Sequence, residues 1–79
     1  GEAKQAVYGM KKLQNVVLCK SITTIDAYAV QNCTTLRHIF SEANSRPSGW
    51  NSKAFYGCNN ASFHFANSWH YVNGMPVVK

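Results

Sequence analysis

Seventy-nine residues, with eight Lys or Arg against three Asp or Glu and a formal charge of +5, exclude a multidomain chain and leave only a thin core for a single domain. Hydrophobic residues make up 46%, which excludes intrinsic disorder. No apolar run approaches the roughly 18 residues of a transmembrane helix, and the basic residues are scattered apart from Lys11 and Lys12, so neither a membrane span nor a nucleic-acid-binding arm is expected.

In chain order, "EAKQAVYGMKKLQ" carries Ala3, Ala6, Val7, Met10 and Leu13 at helical spacing, interrupted by Gly9, and reads as a weak helix or an extended lead-in. "NVVLCKSIT" follows with the strand formers Val16, Val17, Leu18 and Ile22. Within "TTIDAYAVQNCTTLRHIFSEANS", Ile25, Ala29, Cys33, Leu36, Phe40 and Ala43 recur every three or four residues, the stripe of an α-helix. Thr23 and Asp26 read as a capping pair for that helix, and Pro47 and Gly49 end it.

Beyond that loop, "KAFYGC", "ASFHFA", "SWHYV" and "MPVV" read as strands. Asn59–Asn60 supplies a turn. Asn73–Gly74 is the strongest hairpin signal in the chain, because both residues tolerate positive φ. Pro76 marks an edge strand. No internal repeat or linker is apparent. The expected fold is one α+β domain over residues 1–79, with one main helix on a mostly antiparallel four-stranded sheet in the order β-α-β-β-β.

The acids Glu2, Asp26 and Glu42 are dispersed, which argues against a glycosidase pair or a divalent-cation site. His64 and His70 fall on neighbouring predicted strands with Lys53 nearby, so a small hydrolase or ribonuclease is the enzymatic alternative. No CxxC or HxxxH spacing occurs, and neither a metal nor a cofactor is expected. Three cysteines, Cys19, Cys33 and Cys58, leave one over after any internal pair. A Cys33–Cys58 bridge would tie helix to sheet and add about 3 kcal/mol; Cys19–Cys33 is an almost equal possibility. The remaining thiol is buried or bridges to another chain. A reduced intracellular module that dimerises through its aromatic sheet stays open.

Two sequons, at Asn32 and Asn60, join the small size and the cysteines in favouring a secreted protein. The opening "GEAKQAV" and the closing "PVVK" fit a mature form, or one subunit cut from a precursor. The surface candidates for partner binding are Trp50, Tyr56, Trp69, Tyr71, Lys11 and Lys12. Among them Trp69 suits the core better, and Trp50, in the Pro/Gly loop, suits an interface.

A Cys-bearing strand, then "DAYAVQNCTTLRHIF", a loop with Trp50 and "FYGCNNASFHF" together resemble the small secreted fungal killer toxins and necrosis-inducing effector domains. The resemblance covers about residues 16–67. It implies an α/β-sandwich, favours pairing Cys33 with Cys58, and implies a non-enzymatic toxin or effector. Such a protein would bind a component of a target-cell wall or membrane, in a homo-oligomer or with a second chain.

Overall fold

A computed structural model describes residues 13–79 in full and, before them, the backbone of Glu2–Ala3 and Val7–Tyr8. The described residues contain no helix. The chain instead winds through short strands: β1 (Glu2–Ala3), β2 (Val7–Tyr8), β3 (Asn15–Leu18), β4 (Thr24–Ile25), β5 (Val30–Gln31), β6 (His38–Ser41), β7 (Gly49–Trp50), β8 (Ser62–His64), β9 (Trp69–Val72) and β10 (Met75–Val78).

The pairing shows what these strands build. β1, β4 and β7 form one parallel sheet, β2 and β5 a second, and β3, β6 and β8 a third. Glu2 stands opposite Thr24, and Thr24 stands opposite Gly49. Asn15 faces His38 in the same way, and His38 faces Ser62. Each coil of about two dozen residues therefore lies on the one before it. This is a solenoid, in which each repeat buries its apolar edge only against its neighbours.

The repeat is visible in the chain once the coil length is known. "AVYGMKKL" (6–13), "AVQNCTTL" (29–36) and "AFYGCNNA" (54–61) share Ala, an apolar residue, Gly or Asn, then Met or Cys, and Leu or Ala three further on. In the second and third copies the Ala and Cys positions, Leu36 and its aliphatic neighbour Val30 are buried. The residue before each Cys takes the left-handed conformation, with φ of 58° at Asn32 and 80° at Gly57. Gly and Asn are the residues that enter this region cheaply. The turn also repeats its bonds: Leu36 N–H donates to the Cys33 carbonyl at 3.0 Å, and Ala61 N–H to that of Cys58 at 3.3 Å.

Side chains hook consecutive coils together at equivalent places. Thr35 Oγ1 donates to the Leu13 carbonyl of the first coil at 2.8 Å, and Asn60 Nδ2 donates to the Thr34 carbonyl of the second at 3.0 Å. On the second side the third coil has no regular strand, yet the ladder continues. The amides of Tyr28, Val30 and Asn32 donate to the carbonyls of Lys53, Ala54 and Tyr56 at 2.8–2.9 Å.

These findings correct the α+β expectation. Ile25, Ala29, Cys33 and Leu36 are indeed in the core, but on β4 and the segments and turns after it rather than on a helix, while Phe40 is buried on the outer face of β6 against Trp69 and its neighbour Ile39 points inward. Inward positions of a coil recur at near-helical spacing because very short strands alternate with tight turns. That spacing imitates the period of an α-helix. The predicted strand "KAFYGC" is a run of turns, and β8 pairs in parallel with β6. Antiparallel pairing is confined, among the described residues, to β9 and β10, joined at Asn73 and Gly74 with φ of 52° and 80°. The expected helix or lead-in over residues 2–13 lies largely outside the described residues.

Candidate functional site

The third coil is filled with rings rather than aliphatic chains. Trp50 occupies the ladder position of Ile25. Phe55, Phe63 and Phe65 lie 6.2–6.3 Å from its ring, and its Nε1 donates to the Ile22 carbonyl at 3.0 Å. The Arg46 guanidinium sits over the rings of Trp50 and Phe63, at 5.8 and 5.2 Å, a stabilising cation–π arrangement. Trp50 is thus a core residue, not a loop-borne contact.

The β9–β10 hairpin leaves the coil and packs back on it through Trp69. That side chain is buried against Phe40, with ring centroids 5.1 Å apart, and its Nε1 donates to the Ser41 carbonyl at 2.9 Å. Tyr71 meets Trp69 edge-on at 5.2 Å but remains 53% exposed. Val72, Met75, Val77 and Val78 are exposed as well, so the hairpin presents an almost uncharged apolar surface anchored by one buried indole. Two clefts flank it. One, of about 390 Å³, is lined by Lys20, Glu42, Ala66, Asn67 and the β9 residues Trp69, His70 and Tyr71. The other, of about 350 Å³, lies between Asn15, His38 and Phe40 on one wall and Pro76, Val77 and Val78 on the other.

The outer face of β3–β6–β8 brings together residues that no spacing rule had linked. His38 and His64 lie side by side, with Nδ1 of the first 3.0 Å from Nε2 of the second. Both rings stack on Phe40, at 5.6 and 5.2 Å. Burial, and secondarily the neighbouring His38, hold the His64 imidazole below the ordinary histidine range. His64 therefore partners His38, while His70 lies on β9, in a different sheet. Lys53 joins the second side of the coil through its carbonyl. The signal for the pair was the repeat: the register between successive coils puts His64 opposite Phe40, on the same sheet face as His38.

The cysteines do not form the expected bridge. All three are free thiols: Cys33 and Cys58 are buried on successive coils and Cys19 is exposed. Cys33 donates to the Gln31 carbonyl and Cys58 to that of Val30, both at 3.6 Å. Burial raises the Cys58 thiol above its usual value. The hydrogen bond with Ser21 Oγ at 3.1 Å is the main cause that lowers Cys19. The sequon asparagines Asn32 and Asn60 are exposed, and so is Tyr56, which meets Tyr28 edge-on at 5.4 Å on the second side of the coil. Lys11 and Lys12 lie outside the described residues.

Parallel strands stacked one coil apart, with an apolar ladder inside, define a repeat protein of the parallel β-solenoid class. The chain belongs to the BspA type leucine rich repeat region family, whose profile matches residues 3–75 in six copies. No curated protein and no solved structure matches it. This membership and the all-strand fold replace the resemblance to killer toxins and necrosis-inducing effectors. Leucine-rich repeats typically act as non-enzymatic modules that mediate protein–protein interaction.

Proposed function

We propose that this chain is a non-catalytic protein-binding module whose contact surface is the β9–β10 hairpin. The observation that carries the reading is the exposure, on one two-stranded element, of Val72, Met75 and Val77, which the register gathers on one face, with Tyr71 and Val78 exposed at the other. Exposed apolar groups gathered in one place mark interaction surfaces rather than scattered surface residues. The buried Trp69 anchor fixes this surface on the solenoid, so little ordering is left to oppose binding. Tyr71 and Met75 are the contact residues with the largest exposed rings or chains on the hairpin. The partner is a protein with a complementary apolar patch: a second copy of this chain or a different polypeptide.

A photo-crosslinking side chain placed at Met75 tests the assignment, with one at Tyr56, on the second side of the coil, as control. Specific adducts from position 75, resolved by mass spectrometry as homodimer or heterocomplex, are the expected result. Adducts from position 56 with none from position 75 would place the contact surface on the coil instead.

A further inference from the structure

The protein-binding reading leaves the two stacked histidines unused, and their geometry points to a second kind of ligand. We propose that His38 Nδ1 and His64 Nε2 form a two-histidine site for a borderline transition-metal dication, of the class of Zn2+, Ni2+ or Cu2+, on the outer face of β3–β6–β8.

The distance between the two nitrogens is the first argument. Metal–imidazole bonds are about 2.0–2.1 Å long, so two ligand nitrogens lie about 2.9 Å apart at a right angle and about 3.4 Å apart at the tetrahedral angle. The observed 3.0 Å falls inside that interval. The two nitrogens are therefore already spaced as two adjacent ligands of one metal, and turning the rings so that both lone pairs converge lets the metal replace the hydrogen bond.

Preorganisation is the second. β6 and β8 are adjacent strands in fixed parallel register, which holds the backbones that carry the two imidazoles side by side. Phe40 stacks on both rings at interplanar angles of 30° and 28° and sets their orientation. Both histidines are half-buried, which limits the rotamer entropy lost on coordination.

Chemistry supplies the third. Imidazole suits Zn, Cu and Ni, and no third His, Cys, Asp or Glu joins the pair among the described residues. Asn15 and Ser62 stand opposite His38 on its two neighbouring strands, which puts a side-chain oxygen on each flank. The adjoining cleft of about 350 Å³, lined by Asn15 and His38, has room for water in the remaining positions. Proton balance is simple. In the neutral pair one ring donates the shared proton; on coordination that ring carries its N–H on the other nitrogen, and no net proton leaves.

The test uses the whole chain, stripped with a chelator, at pH 7.5, with Cys19→Ser to remove the exposed thiol. Calorimetric titration with NiCl2 and with ZnCl2 is compared among this background and its His38→Gln, His64→Gln and His70→Gln derivatives. Affinity is expected to fall on the order of tenfold or more with either of the first two and to stay unchanged with the third. Imidazole nitrogen resonances followed during ZnCl2 titration of the background protein decide the matter without relying on the variants' folding. Selective movement of the His38 and His64 signals supports the site. Unmoved signals for that pair in excess metal, or equal affinity in all four proteins, overturn it.

Discussion

Removing Trp69 separates the hairpin's anchor from the solenoid it sits on. The side chain is 8% exposed, lies against Phe40, and gives its indole N–H to a carbonyl of Ser41, itself 1% exposed. An indole buries roughly 200 Å², worth about 5 kcal/mol at about 25 cal/mol per Å², and measured Trp→Ala losses run to about 3–5 kcal/mol. Trp69→Ala is therefore expected to cost about 3–5 kcal/mol, much of the total stability of a domain this size. Trp69→Phe keeps most of the ring but deprives the Ser41 carbonyl of its donor, a loss of about 1–3 kcal/mol. Urea titration followed by far-ultraviolet circular dichroism reads both values, and Trp50 serves as a separate fluorescence reporter on the third coil. Amide exchange should quicken first in β9 and β10, with β3, β6 and β8 better protected. The reasoning fails if Trp69→Ala stays within about 0.5 kcal/mol of wild type, or if the Phe variant is as costly as the Ala variant.

Three further outcomes follow from the same geometry. Gly57→Ala should destabilise by about 1–2 kcal/mol or more, because φ is 80° there and the added Cβ would press on the Asn32 side chain and backbone; a urea midpoint equal to wild type would contradict the left-handed turn. Brief iodoacetamide treatment of the native protein should label Cys19 alone, since its thiol is exposed and shifted down, while Cys33 and Cys58 react only in denaturant; peptide mapping showing early label at Cys58 would refute the buried ladder. In metal-free protein, acidification should lower stability. The His64 pKa is held below its unfolded value, so the native state binds fewer protons than the unfolded one as pH drops below about 6.5, and the loss is complete only beneath the depressed native value. Urea midpoints between pH 7.5 and 5 should show a drop that His64→Gln reduces; an equal drop in both proteins would remove His64 as the cause.

Several elements were legible in the residues alone. The strand at Asn15–Leu18, the hairpin strands and their Asn73–Gly74 turn are local features, set by β-branched runs and by two residues that accept positive φ. Burial of Ile25, Ala29, Cys33 and Leu36 was legible too, because an apolar stripe faces a core whatever backbone carries it; Phe40 is buried for another reason, against Trp69 on the outer face. The backbone was misread because hydrophobic spacing alone does not separate a helix from a flattened coil of short strands. Asn32 held the distinguishing information. It sits in the middle of the expected helix, yet its equivalents in the other copies are Gly9 and Gly57. A position shared by Asn and Gly is one that asks for positive φ, which no helix interior accommodates. The copies were hidden because their spacing is uneven: the step from Ala29 to Ala54 is longer than the step from Ala6 to Ala29.

The candidate sites were less legible for a physical reason. In a solenoid, neighbours across a sheet are one coil apart in sequence, so a surface is assembled from residues that share no local motif. His38 and His64 belong to different copies and meet because β6 and β8 pair with Phe40 opposite His64. His64 and His70, closer along the chain, were the natural pair to suspect and stand on different sheets. The hairpin follows the opposite logic: its exposed residues are local, from Tyr71 to Val78, but its placement rests on one distant bond, from Trp69 to Ser41. Substitutions at Trp69 should thus disturb partner binding through the position of the whole hairpin, whereas substitutions at Met75 should act on the contact alone and leave the solenoid's stability within about 0.5 kcal/mol of wild type.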